Sequence, residues 1–472
     1  MAEFKERVYS IFRELNTIPR ASHHEEKVAE WLCGFAERLG LEYERDAENC
    51  VVIRKPATAG CESAETVVLL NHMDMVAVGD GSRPFDPLKD GVEAYVEDGW
   101  MKARGTSLGA DNGIGLSMAL AVLASDDIVH GPLEVLTTTN EEDGMSGAAG
   151  MSCDFVKGRK VINLDSEDYD TITVGAAGAY LQTALLPTAP KKAPADAVFY
   201  EVGISGGAGG HSGVDIGKGR INASQALARL LCTADSDLLV ASVDGGSANA
   251  SIPSACTAIV AVRAAGAKGF KARLASGFGE ARDAFSDGAG LRLAVAEVPA
   301  RDVIADRRLL ELISGLPCGV IRMHETLPGT VMTSNNIGMV RTLPGGVSIS
   351  CHTRSFSDAE MVSTAEAISD RFRASGADVQ VIMNTPGWQE DPDSEYMALT
   401  DRVFRDVLGF SPRKVAMHFV LEAGYYVQKF PGIQIACIGP RIVEPHSTNE
   451  RVDLRTVDDI CDVLVEILKR LS

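Results

Sequence analysis

The chain has 472 residues, 45% of them hydrophobic and 23% charged, with 46 glycines, which excludes a disordered or fibrous chain and predicts two or three globular domains. A formal net charge of −20 excludes nucleic acid and anionic membrane surfaces as partners, because both require basic patches. No stretch approaches about 18 consecutive apolar residues, so no membrane span is expected.

The opening segment MAEFKERVYSIFRELN predicts an amphipathic helix and lacks the apolar core of a secretory signal. Ten dispersed cysteines without a CxxC pair fit small buried thiols in a reducing cytoplasm rather than a disulfide framework. Ser22 and Glu25 make a capping-box pattern ahead of a predicted helix over 23–39, which Gly40 closes. Buried strands are predicted over 66–71, 133–139 and 161–164, with a helix rich in Leu, Met and Ala over 112–124 between the first two. This alternation is that of an α/β domain with a mixed, mostly parallel sheet.

Near Gly175 the texture changes to GAAGAY and a loop with Pro187, Pro190 and Pro194, as at a domain crossing. The following residues form a predicted α+β unit with strands at 197–205, 238–243 and 257–262 and a helix at 221–232. A similar second unit has strands at 331–340, 346–354 and 378–383 and a helix at 359–374, a weak internal duplication. After Pro386 the α/β texture returns, with strands near 414–417 and 434–438 and a terminal helix at 457–471. The expected organisation is a catalytic domain in two segments, 1–175 and 386–472, interrupted by an inserted lid at 176–385.

Candidate site residues fall at the ends of these strands. The 66–71 strand runs into His72, Met73 and Asp74, placing an imidazole and a carboxylate where open α/β sheets bind ligands. In GTSLGADNGIG, Asp111 precedes the next helix among glycines that allow a tight turn. Glu141 and Glu142 follow the 133–139 strand, and adjacent carboxylates repel unless a cation lies between them or one takes a proton. INLDSED delivers Asp165 to the same edge, and His446 lies in a polar loop before the last helix. Taken singly, each reads as structural before functional: an N-cap, a solvated turn or a hydrogen-bonded pair. Together, oxygen ligands mixed with two imidazoles suit two zinc ions, or manganese or cobalt, better than thiolate chemistry.

The ordered motifs HMDMV, GTSLGADNGIG, NEEDGMSGA, NLDSED, GGHSGVDIGKGRINA and PHSTNERV span nearly the whole chain. They resemble the dinuclear zinc peptidases of the M20 clan, most closely the aminoacyl-histidine dipeptidase branch. The resemblance implies that His72 and Asp165 hold one zinc ion, that Glu142 and His446 hold the other, and that Asp111 bridges them. It also implies that Asp74 orients His72, that Glu141 is the general base, and that His211 in GGHSG donates to an oxyanion. Arg354 is a candidate fork for the terminal carboxylate of a short peptide substrate, and Asn249 a further substrate contact.

The implied activity is hydrolysis of dipeptides with a free N-terminus, Xaa-His first, by a monomer or homodimer; a tripeptidase or an N-acyl amino acid deacylase is the alternative. The segment HFVLEAGYY departs from the family's HAGLECG: His418 and Glu422 are kept, but Ala423 replaces the cysteine, which bears on substrate preference. An inactive binding protein is disfavoured by the intact Glu141, and a cysteine hydrolase by the lack of a cysteine in a nucleophile context.

Overall fold

In AEFKERVYSIFREL the apolar residues fall three and four apart, and helix Ala2–Leu15 buries Phe4, Val8, Ile11, Phe12 and Leu15 on the resulting face. The computed structural model describes residues 1–472, which divide into two units: 1–175 with 390–415 and 422–472, and 176–389 with 416–421.

The first unit is built on a mixed sheet. Seven of its strands run in the order Glu42–Arg45, Val51–Lys55, Leu133–Thr138, Val67–His72, Lys160–Asn163, Gln434–Cys437 and Thr171–Ala176, the last of which also pairs with Arg413–Met417. Val67–His72 pairs in parallel with both neighbours, as does Lys160–Asn163 with Gln434–Cys437, whereas both margins are antiparallel. Every residue of Val67–His72 and Leu133–Thr138 is buried, as inner parallel strands require. Helix Ala110–Leu123 is buried along almost its whole length, which explains why its sequence shows no polar face. Where the Leu133–Thr138 strand begins, Glu134 is 2% exposed, pairs with Arg54 at 3.1 Å, and accepts from the amides of Lys157 and Gly158 at 2.8 and 2.9 Å. A small antiparallel sheet of Ile442–Val443, Arg451–Asp453, Trp100–Ala103 and Ala94–Glu97 carries the 444–450 loop as a hairpin.

The second unit is an antiparallel sheet in the order Arg292–Val298, Ala197–Ser205, Cys256–Arg263, Leu239–Gly245, Val331–Leu343, Gly346–Ser355, Gly178–Pro187 and Asp378–Thr385. Both predicted α+β sets share this one sheet, joined where Gly245 pairs with Val340. Helices Ala223–Ala234, Phe270–Arg282, Arg308–Gly315 and Asp358–Ala374 contribute Leu227, Phe270, Leu310 and Phe372 to its core. Val347, Ile349 and Cys351 point into that core, so Ser350, His352 and Arg354 lie on the opposite face of their strand.

The structure corrects several local expectations. The helix predicted from residue 23 starts at Glu26, and its capping box does not form. Ser22 Oγ donates instead to Asp74 at 2.8 Å, and Glu25 accepts from the amides of His23 and Asn140 at 3.0 and 2.8 Å. Gly40 closes the helix in the left-handed region. Asp111 and Asn112 carry non-helical torsions, so regular helix follows them rather than beginning at 112. Phe270–Arg282 goes beyond the predicted elements, with only Phe270 and Leu274 buried and no apolar stripe to read. Glu395–Leu408 goes beyond them too, although its Ser394 cap and buried Tyr396, Met397, Val403 and Phe404 are a legible helix signal. No helix is long and apolar enough to cross a membrane.

Candidate functional site

The three central parallel strands of the first unit end at one edge of the sheet. His72 is the last residue of its strand and pairs in register with Thr138, beyond which the chain continues through Asn140 to Glu141 and Glu142. Asn163 pairs with Leu70, and Asp165 follows it at the same edge. Asp111 stands at the head of helix Ala110–Leu123. His446 enters from the hairpin loop after Ile442–Val443, at a positive φ of 58°.

Asp111 is the centre of the arrangement. Its Oδ1 lies 3.1 Å from His72 Nε2 and its Oδ2 3.2 Å from His446 Nε2. His72 Nε2 is also 3.3 Å from Asp165 Oδ1, and His446 Nε2 is 2.8 Å from Glu142 Oε2. Two histidine–carboxylate pairs therefore share one central carboxylate. His72, Asp111 and Glu142 each offer a ligand atom within 4.8 Å of the others, and Glu142 Oε1 is buried without a partner.

The charges are unbalanced in a way that calls for cations. Burial lowers the His72 imidazole, but Asp165, Asp111 and Asp74 more than offset this and hold it well above its ordinary value. Hydrogen bonds to Asp111 and Glu142 push His446 up to about 11. Burial pushes Asp165 up to about 6, and burial together with neighbouring carboxylates holds Glu141 well above its usual range. Protons thus collect where the carboxylates converge. A donor set of carboxylate oxygens and imidazole nitrogens with surplus negative charge fits divalent metal ions.

Supporting groups fix these side chains. Asp74 is fully buried 3.4 Å from His72 Nδ1, and accepts from the amides of Glu141 and Glu142 at 3.1 and 3.3 Å. Its carboxylate thus faces the imidazole on one side and accepts from the acidic turn on the other. The Glu141 carboxylate itself has no hydrogen-bond or ion-pair partner, while Glu422 accepts from Thr138 and Tyr426 at 2.8 and 3.0 Å. Sequence reasoning missed Asn112, Glu450 and Arg20. Asn112 Nδ2 donates to Asp165 Oδ1 at 2.6 Å and to the Leu164 carbonyl at 2.8 Å. Glu450, 3% exposed, accepts from the amides of Leu108, Gly109, Ala110 and Asp111 at 2.8, 2.9, 2.8 and 3.3 Å. Arg20, 1% exposed, donates to the carbonyls of Met73, Asp74 and Gly109 at 3.2, 3.0 and 2.6 Å. Glu450 lies in the PHSTNERV motif and was open to assignment; Arg20 has no local signal.

The remaining candidates lie in the second unit. Arg354 is inside strand Gly346–Ser355, is 4% exposed, and makes one hydrogen bond, from Nε to Ser212 Oγ at 3.4 Å. No carboxylate pairs with it, and burial brings its pKa down to about 10. Burial and Arg354 lower both His352 and His418 to about 3, so both rings are neutral. His211 is exposed, and its Nδ1 accepts from the Gly213 amide at 3.3 Å, which leaves the proton of the neutral ring on Nε2. Asn249 Oδ1 is buried without a partner.

Residues 68–470 match peptidase family M20/M25/M40. The chain is 35% identical over 471 residues to the cytosol non-specific dipeptidase of Escherichia coli (strain K12), covering 98% of this chain and 97% of that protein. The aminoacylhistidine dipeptidase of Vibrio alginolyticus shares the fold with a TM-score of 0.93 at 32% identity, covering 98% of this chain and 96% of its own. A tripeptidase of Staphylococcus aureus subsp. aureus Mu50 shares the fold at 17% identity and a TM-score of 0.58, over 99% and 98% of the two chains.

Proposed function

Because the chain belongs to peptidase family M20/M25/M40, we propose that it is a dinuclear zinc dipeptidase acting on peptides with a free N-terminus, Xaa-His dipeptides first. The observation that carries this is Asp111, whose two oxygens face different histidines, each with its own second carboxylate. We assign His72 and Asp165 to one ion, Glu142 and His446 to the other, and Asp111 to both. Manganese or cobalt would suit the same donors.

When bound, such ions polarise the scissile carbonyl and make water more acidic. Glu141, free of any protein partner, takes a proton from water and returns it to the leaving amine. Asp74 keeps both His72 and the Glu141 turn in place. His211 offers its Nε2–H to the developing oxyanion. Arg354, a buried cation without a counter-charge, pairs with the terminal carboxylate, and Asn249 contributes a further polar contact. In this assignment the first unit, 1–175 with 390–415 and 422–472, is the catalytic domain, and the second, 176–389 with 416–421, is the lid carrying substrate contacts. The names of the Escherichia coli and Vibrio alginolyticus relatives support a dipeptide substrate, and the former supports a cytoplasmic location.

The test is a panel of dipeptides, tripeptides and N-acyl amino acids, assayed with chelated and zinc-restored protein alongside metal analysis. About two zinc ions per chain should accompany full activity, with dipeptides as the best substrates. Full turnover with one tightly held ion would overturn the dinuclear assignment, and a preference for tripeptides or N-acyl amino acids would overturn the substrate class.

A further inference from the structure

Two buried side chains of opposite charge hold the ligand-bearing segments without belonging to the ligand set. Glu450 sits four residues after His446 in the same hairpin loop. Its Oε2 collects the amides of Leu108 and Gly109, and its Oε1 those of Ala110 and Asp111. Successive amides that converge in this way require an anion at their focus. The carboxylate supplies it, and so ties the His446 loop to the segment delivering Asp111.

Arg20 grips that segment from its carbonyl side. One guanidinium nitrogen takes the Gly109 carbonyl, and the other takes those of Met73 and Asp74, the two residues after His72. A Cβ at position 109 would stand 2.4 Å from Arg20 Nη2 and one at position 113 only 2.6 Å away. The guanidinium therefore occupies a slot that exists because both residues are glycine. Glu450 is foremost among the charges that favour the protonated guanidinium against its burial.

We propose that Arg20 and Glu450 are a positioning pair that sets the spacing of His72, Asp111 and His446, and through it the affinity for both ions, an inference that rests on the metal assignment above. The test is zinc binding by apo-protein, measured by competition with a chromophoric chelator, in wild type, Glu450→Gln, Arg20→Lys and Glu134→Gln. Glu450→Gln keeps the side-chain shape but loses the charge and one of the two acceptor oxygens. Arg20→Lys keeps the charge and loses the fork. Glu134→Gln is the control for stability alone, since Glu134 is as buried, collects two main-chain amides and pairs with Arg54 at the other end of its strand.

Zinc affinity should fall about 10- to 100-fold in Glu450→Gln and Arg20→Lys, the usual range when a partner of metal ligands is lost. It should be unchanged in Glu134→Gln even where the melting temperature drops. Circular dichroism of the apo-proteins verifies folding, and Arg20→Lys carries the test alone where Glu450→Gln does not fold. Affinities within twofold of wild type in the folded variants, or an equal loss in Glu134→Gln, would overturn the positioning role and leave the metal assignment standing. Wild-type protein that binds no zinc would overturn the assignment itself.

Discussion

Replacing Arg354 by Met should weaken substrate binding and at the same time make the folded protein more stable. The guanidinium lies inside a strand, 4% exposed, with one long hydrogen bond and no carboxylate near enough to pair. Burial brings its pKa down to about 10. At about 1.36 kcal/mol per tenfold change in proton affinity, that fall places the desolvation cost on the order of 3 kcal/mol. A substrate carboxylate paired with it would offset much of that cost, because charge-assisted hydrogen bonds contribute about 1.5–3 kcal/mol, or roughly 10- to 150-fold in binding. Arg354→Met should accordingly raise KM for a dipeptide by that factor and bring kcat/KM for the dipeptide close to that for its amide. Relieved of a buried unpaired charge, the variant should gain on the order of 1–3 kcal/mol, at about 2–4 °C of melting temperature per kcal/mol for a unit of this size. The measurements are kcat/KM for one dipeptide and its amide with both proteins, and thermal unfolding of each. A lower melting temperature with an unchanged substrate ratio would show that Arg354 is part of the strand's framework and not a carboxylate anchor.

Glu141→Gln should retain both ions and lose about 10²- to 10⁴-fold in kcat, whereas Glu142→Gln should also lose metal; equal zinc loss in both would abolish the division into base and ligand. His211→Ala should lower kcat about 10²- to 10³-fold with little change in KM, since a donor to the oxyanion acts in the transition state, and an unchanged kcat would end that role. Zinc binding near neutral pH should release protons, because the carboxylates hold His72 and His446 well above the ordinary imidazole value while a ligand imidazole must be neutral. Apparent affinity then rises with pH and falls toward acid. Calorimetry in buffers of different ionisation enthalpy measures the release, and a value near zero would remove the histidines from the ligand set.

The strand ends were legible because buried apolar runs stop where polar side chains begin, as at Leu70–Asn71–His72 and Val161–Asn163. What depended on distant partners was not. Ser22 and Glu25 read locally as a capping box, yet Asp74 and the Asn140 amide offer them better-placed partners from other segments. Asn112 reads as a helix residue, but its side chain serves Asp165, and its torsions are non-helical. Arg20 sits in an unremarkable IPRAS segment, and only the absence of side chains at Gly109 and Gly113 reveals its slot. The Arg354 strand was correctly placed, but whether the guanidinium was solvated or buried could not be read from alternation alone.

The hairpin that carries both His446 and Glu450 has a consequence for how the protein is made. Residues 20, 72–74, 109–112, 141–142 and 165 are synthesised first, and the whole of 176–389 then intervenes before this hairpin exists. At roughly 5–20 residues per second the delay between Asp165 and His446 is roughly 15–60 s. Throughout that interval the amides of 108–111 lack their acceptor and the acidic cluster lacks one of its histidines. The second unit's sheet and its main helices come from the continuous stretch 176–389 and can be completed on the ribosome. The unit that begins first is thus finished last, and the nascent chain cannot complete its cluster of carboxylates and histidines until the hairpin has emerged.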